Sequence, residues 1–578
     1  MTAATAAANR AANRWLWGPV PDLVLGCGLG YMAIFVALAL AGPGIRALLP
    51  LGMLPIVSVF AGTPHYGATL LRVYEHRSER RAYVFFTVYG TAVVWAFYVA
   101  GLYHAALGSL LLSLYLTWSP WHYTGQNYGI SLLFLRRRGI EVVPRVKRRI
   151  YASFVLSYVL TFLAIHGDPA SADYAPAQYG GSIYRMMRLG LPSPAWKWAF
   201  ACVGVSYLAL LASAGRDLLR RGRPSDLVPS ALVAGTQLLW FSLPPLGREL
   251  GLLRGLDPFQ PDQAAFVFIW IAAGHAVQYL WVTTYYAGKR SRAERWRYYA
   301  KCVCAGSAIW SLPAAVYVLW LRAAGPSLGG VATGEDAGVL LAAMVNIHHF
   351  LLDGAIWKLR DGRVARALIR REPGALPDAI TPPRRRWLQP ILLTFGALWT
   401  FSTIASLVER DRVIAPALAR RDLPAAEAAI DRLAWMWRDS VVDYHRLAQL
   451  AAAQGDTDLA LRLYDRAIAR FDLPASWVAK GAALESRGDV DGAAVAYQAG
   501  LRLAPNEPHL LYQLGRLRLE QGRLSEARAL LERAFAAAPD DKRVELTLER
   551  ARKAAASEPR AEAEPDSGRM SRRSRADG

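Results

Sequence analysis

Five histidines of this chain lie inside long apolar stretches, where an imidazole needs a reason to be. His65 sits in Thr63-Pro64-His65-Tyr66 and His122 in Trp121-His122-Tyr123-Thr124-Gly125-Gln126. His275 sits in Gly274-His275-Ala276-Val277-Gln278-Tyr279, and His348 and His349 in Asn346-Ile347-His348-His349-Phe350-Leu351-Leu352-Asp353. Neutral imidazole is the commonest biological ligand for first-row transition metals. On a helix, residues three and four apart share a face. His275 then lies with Gln278 and Tyr279, His122 with Gln126, His349 with Asn346 and Asp353, and His65 with Thr69 and Arg72. Each histidine thus has a hydrogen-bonding neighbour that can fix its tautomer, as metal-bound imidazoles need. Asp353, a carboxylate four residues after a His pair, is hard to explain as packing. The expected site is therefore a metal held by His65, His122, His275, His348 and His349, with Asp353 as a ligand or an orienter and Tyr279 or Tyr123 as a proton source. Such a donor set, without thiolate, suits iron or copper redox chemistry, with zinc hydrolysis as the alternative. Trp118, Trp121, Tyr123, Tyr128, Trp270, Tyr279, Trp281 and Trp357 would wall it with aromatics, which suits a lipid-soluble substrate. For any one histidine the plainer reading is a hydrogen bond between membrane helices. For the aromatics it is an interfacial belt.

The elements that must position these residues read as membrane spans. Of 578 residues, 54% are hydrophobic before glycine is counted and only 19% are charged, which excludes a disordered chain and makes a wholly soluble one implausible. About 20 apolar residues cross a bilayer. Eleven stretches qualify: 22–42, 44–66, 82–102, 105–135, 150–167, 197–215, 227–246, 263–287, 299–322, 337–357 and 387–408. Pro120 predicts a kink or break in the fourth. Taken alternately, the loops starting from the N-terminus hold 31 Lys and Arg, and the other set holds 5. That bias places residues 1–21 in the cytoplasm, the multipass domain over 22–410 in a cell (inner) membrane, and the C-terminal remainder of the chain outside. The five histidines then share middle-to-cytoplasmic depth. The net charge of +22 is accounted for by topology, so no nucleic-acid partner is expected. Cys27, Cys202, Cys302 and Cys304 all fall in apolar runs and read as buried small hydrophobes, not bridges.

Past residue 410 the pattern becomes amphipathic and repeats. Gly455, Ala460, Tyr464 and Ala467 recur as Gly488, Ala493, Tyr497 and Gly500, then as Gly522, Ala527, Leu531 and Ala534. Pro505 and Pro539 close the second and third units, and a degenerate unit (Ala426, Ile430, Leu433) lies one period upstream. This resembles tetratricopeptide repeats: small residues where two helices touch and a large one four positions on. Lys480-Gly481 and Leu514-Gly515 stand at that family's Leu-Gly position; Lys480 departs from it, as does Gly500 from the usual Ala. The resemblance implies a helical solenoid over 411–552 that presents a surface to a protein or peptide. The chain is thus expected to be all-α, a polytopic membrane domain followed by a repeat domain, with 553–578 a disordered tail.

The membrane part, through His348-His349 and histidines spread over several spans, resembles integral-membrane non-haem iron oxygenases: desaturases, hydroxylases and Brp/Blh-like carotene-cleaving enzymes. The resemblance implies iron and an oxidoreductase. The HxxxH and HxxHH boxes of the desaturases are absent from the chain. His348-His349 with His275-x-x-x-Tyr279 also resembles the copper site of haem–copper oxidases. Two further architectures are compatible. A many-span chain with an outer repeat domain is similar to glycosyltransferases that use polyprenyl-linked sugars, but the first outward loop, 43–46, lacks the acidic pair of that family. A non-enzymatic anchor or transport component displaying the repeats is the other.

Overall fold

The computed structural model describes residues 14–41, 54–75, 83–167, 183–250, 261–288, 291–324, 334–357, 368 and 387–557. The expected cytoplasmic segment therefore falls largely outside the described residues, as does the expected tail beyond 557. Its first residues, 553–557, end a helix. No strand occurs among the described residues. The chain divides into two compact units, Met1–Leu407 and Val408–Gly578.

Among the described residues six helices are long and apolar enough to cross a membrane, or seven if the bent pair Pro19–Gly26 and Leu29–Ala37 is one span. Eleven were expected. Of the expected stretches, 44–66 runs partly outside the described residues, as do side chains of 263–287 and 299–322, and α6 qualifies in spite of its histidines and Asp353. We label α1 (Thr63–Glu75), α2 (Thr91–Tyr103), α3 (Ala105–Arg137), α4 (Pro261–Tyr286), α5 (Arg292–Ala324) and α6 (Gly334–Ile356). Of the expected second span, 44–66, residues 44–53 lie outside the described residues; from Leu54 helix continues through a π-helical turn at Ser58–Gly62 into α1 and on to Glu75, so His65 is not at the end of it. α3 is one continuous helix across Pro120, where a kink or break was expected.

α6 is the central helix of the first unit. Its apolar window is 89% buried by protein, against 11% for the last apolar helix, Leu388–Arg420, which keeps Ile391, Leu398 and Phe401 exposed. Cys202 is likewise exposed on Ser193–Leu219, not buried as expected, because that helix turns most of its surface outward. Glycine sets the closest helix contact. A Cβ on Gly67 of α1 would lie 1.8 Å from the Cys302 carbonyl of α5, and one on Gly306 of α5 would lie 1.8 Å from the Thr63 carbonyl of α1. The two backbones touch, as small residues permit between membrane helices. Polar side chains tie the rest. Asn127 donates to Gln237 at 2.9 Å, and Gln237 donates to Thr124 at 2.8 Å and Ser157 at 3.2 Å. Buried Asp22 accepts from the Leu16 and Trp17 amides and from the Trp281 indole, fixing α4 to the N-terminal turn.

The second unit is a row of antiparallel helix pairs: α7 (Leu423–Trp435), α8 (Val441–Ala453), α9 (Thr457–Arg470), α10 (Pro474–Ser486), α11 (Val490–Leu503), α12 (Pro508–Glu520), α13 (Leu524–Ala537) and α14 (Lys542–Ser557). The repeat positions have their expected physical roles. Gly455, Gly488 and Gly522 take φ of 86°, 84° and 74° at the turns inside each pair, a region open to glycine. Asp456 and Asp489 come directly after two of them and cap the next helix, accepting from the Leu459 and Gly492 amides. The small residues Ala460, Ala493 and Ala527 are fully buried, with Tyr464, Tyr497 and Leu531 packed beside them. In the degenerate first unit Arg421, one period before Gly455, holds φ 60° without being glycine, and Asp422 still caps α7.

Candidate metal centre

Four helices converge on four of the five histidines. His65 (α1), His122 (α3), His275 (α4) and His349 (α6) each offer a ring nitrogen, and these atoms all lie within 4.8 Å of one another. The rings of His65 and His349 are 4.1 Å apart at their centroids, and those of His122 lie 4.9 Å from His275 and 5.1 Å from His349. The His65 and His275 Nε2 atoms are 3.2 Å apart. Two nitrogens on one tetrahedral metal at ~2.0–2.1 Å would be separated by roughly 3.4 Å. Paired contacts set the helix directions: His65 meets His275 where Arg72 meets Tyr286, and His65 meets His349 where Arg72 meets Ile356, so α1, α4 and α6 run the same way.

Two of the ring nitrogens are left free for a guest. His122 Nε2 and His349 Nε2, both beside Asp353 Oδ2, are buried without a hydrogen-bond partner among the described residues. Buried polar atoms are nearly always satisfied, so two orphans in one cluster point to something that binds there. Four neutral imidazoles facing one another fit a cation by the chemistry of the donor set.

Outside the ring stands a hydrogen-bond network that sets orientation. His349 Nδ1 is 3.2 Å from Thr69 Oγ1; with the proton on Nδ1, it donates to Thr69 and leaves Nε2 as the free lone pair. Thr69 donates to Asp353 Oδ1 at 3.2 Å. Tyr279 donates to the same oxygen at 2.5 Å, lies 2.6 Å from Thr69 Oγ1, and accepts from the Trp357 indole at 2.9 Å. Asp353 Oδ1 is thereby occupied. Its Oδ2 faces the cluster, 3.8 Å from His122 Nε2 and 4.0 Å from His349 Nε2. Arg72, one turn below Thr69, donates to the Ile356 carbonyl at the end of α6 and stacks on Trp357 at 3.7 Å and Tyr286 at 4.2 Å. Tyr123, the other expected proton source, stacks on the His275 ring with centroids 4.1 Å apart.

His348 is not in the cluster. Its Nε2 pairs with Thr91 Oγ1 of α2 at 3.0 Å, because adjacent residues on a helix point about 100° apart. Of the expected aromatic wall, Trp118, Trp121, Tyr279 and Trp357 line a cavity of about 290 Å³ beside His122 and Asp353. Trp281 instead stacks on Phe134, and Tyr128 packs edge-on to Tyr151 and Phe154. Thr69 was expected only as a neighbour of His65, and its bridging role between His349 and Asp353 is set by how α1 meets α6. Its polarity in an apolar run, four residues after a histidine, was the available signal.

Comparison with curated proteins finds no match to this chain, so the resemblance of the membrane part to iron oxygenases rests on its histidines alone. The C-terminal unit carries tetratricopeptide repeats: residues 484–551 match that family.

Proposed function

We propose that this protein is a multipass membrane oxidoreductase in which His65, His122, His275 and His349 hold one iron, with Asp353 beside it, and whose substrate is lipid-soluble. The observation that carries this reading is the four-histidine cluster in which the Nε2 atoms of His122 and His349 are orphaned. Four imidazoles with a carboxylate at hand exceed the four ligands of a closed structural zinc site, which favours iron over zinc, with copper as the nearest competitor. A bound redox metal would supply the electron chemistry for oxygen activation. The protein's own part is to orient and to move a proton. Thr69 fixes the His349 tautomer, and Asp353 and Tyr279 form a short donor–acceptor pair, with Tyr279 Oη carrying the proton that Asp353 Oδ1 accepts. The cavity that meets His122, Tyr279 and Asp353 is mostly apolar, which keeps water low and suits a substrate taken from the bilayer. On the loop-charge argument the N-terminus is cytoplasmic, the membrane is the inner one and the repeats are extracytoplasmic.

The test is elemental analysis with an optical spectrum on detergent-purified full-length protein, wild type beside His122→Ala/His275→Ala. One iron per chain, lost in the double variant, supports the reading. Metal-free, folded wild type refutes it. The repeat unit carries a second role independently: its family match supports a protein-interaction scaffold, with a peptide or protein as partner.

A further inference from the structure

α3 presents one unbroken stripe to the cavity: Trp118, His122, Gly125, Gly129 and Leu133, spaced at helical intervals. Glycine is the poorest helix former after proline, so two glycines one turn apart in a helix interior need a cause. The usual cause in membranes is close helix contact, and Gly67 and Gly306 show it elsewhere in this unit. Gly125 and Gly129 do not: a Cβ on either would meet nothing within 4 Å among the described residues, and the same holds for Gly354 across the cavity on α6. Gly125 and Gly354 are exposed, and Trp121 beside them is 38% exposed, so the cavity is open-sided at the apolar outer surface.

We infer that this glycine-floored groove seats a single extended hydrocarbon chain that enters sideways from the bilayer. The inference deepens the proposed function and rests on it for the identity of the site, though not for the groove itself. The stripe from Trp118 to Leu133 spans about 22 Å at ~1.5 Å per residue, far longer than one small molecule's ring. Its floor is set by missing side chains, which leaves room for a hydrocarbon chain along the stripe. The polar groups, His122, Gln126, Tyr279 and Asp353, sit partway along, not at an end. His122 lies about 6 Å along the axis from Trp118 and about 16 Å from Leu133. The part of the chain presented to the histidines is therefore internal, nearer one end than the other. Gly125 and Gly129 are specificity-determining positions: any larger side chain there shortens or closes the groove without touching the metal ligands.

The experiment uses full-length protein in lipid nanodiscs and cetyl alcohol carrying a mid-chain diazirine, with unmodified cetyl alcohol as competitor. After photolysis, labelled residues are mapped by mass spectrometry. Wild type is compared with Gly125→Leu, Gly129→Leu and Gly215→Leu, the last an equally open glycine on Ser193–Leu219, outside the groove. Labelling within 118–133 and around Gly354, competed by the plain alcohol, is expected in wild type and in Gly215→Leu. It should fall about tenfold in the other two, since a leucine displaces roughly two methylenes of buried chain. Labelling that is uncompeted, scattered over the outer surface, or unchanged in Gly129→Leu overturns the inference. Iron content is read on the same samples. Metal-free protein with competed labelling sinks the oxidoreductase reading and leaves the groove standing; metal-replete protein without competed labelling does the reverse.

Discussion

His348 and His349 are neighbours in sequence and opposites in expected consequence. His349 Nε2 faces the cluster and its Nδ1 is held by Thr69, whereas His348 turns to Thr91 on α2. Structural metal sites of four ligands are worth ~10–16 kcal/mol, so one ligand in four carries about 3 kcal/mol, or roughly a hundredfold in Kd. His349→Ala should therefore weaken metal binding about a hundredfold or more. His348→Ala should leave it within a factor of about two and cost only the Thr91 hydrogen bond, ~1 kcal/mol of stability. The assay is an anaerobic titration of detergent-purified apoprotein with Co²⁺, followed by its visible absorption, and with Fe²⁺ against a coloured chelator. Melting temperature and gel filtration on the same variants separate lost binding from lost fold. Equal loss of metal in both variants, with both folded, would refute the geometry: it would mean that His348 faces the site or that neither residue binds directly.

Four further outcomes are expected. Thr69→Val keeps shape but frees the His349 ring, and metal affinity should fall about 10- to 100-fold in the same titration. Gly481→Ala places a methyl 2.3 Å from the Tyr497 ring, so the repeat unit should lose ~1–3 kcal/mol in denaturant melts; an unchanged midpoint would show that Tyr497 moves freely. Arg421→Gly should stabilise the same unit by about 1 kcal/mol, because a left-handed backbone is released from its Cβ. His445, packed on Tyr464 and 2.9 Å from Ser476 Oγ, is held below the usual imidazole range by burial. The unfolded chain then takes up the proton first, so stability from this residue is present above about pH 6.5 and lost as pH falls below it. Melting at pH 7.5 and 5.5 should show that loss in wild type, and His445→Gln should flatten it.

Several parts of this arrangement were legible in the sequence for simple reasons. Helical spacing put His349 with Asp353, and these two lie together. The repeat glycines announced their turns because only glycine takes that backbone without strain. What spacing cannot give is azimuth: nothing in the order of residues says that His348 points to α2 while His349 points inward. Hydropathy is also a weak guide to a helix that carries polar residues through its middle. α3 carries His122, Gln126 and Asn127 through its middle, and α1 carries His65, Thr69 and Arg72. The hydrogen bonds among Thr69, Tyr279, Trp357 and Asp353 join three helices and an interhelical end, and so belong to the tertiary packing. Gly125 and Gly129 were readable as a pair, but their meaning depended on finding empty space beside them, not a neighbouring backbone.

The repeat unit, in which each helix pair packs chiefly on the pairs before and after it, has a consequence for how it comes apart. Such a row has no single nucleus whose loss brings everything down. Among the described residues its last helix, α14, is covered on one side only, through Val544, Leu548 and Ala551. Amide exchange should therefore run as a gradient, fastest in α14 and α13 and slowest around Ala460, Tyr464 and Ala493. A partner that bridges several pairs would be felt as slowed exchange at the far end of the row, well beyond the residues it touches.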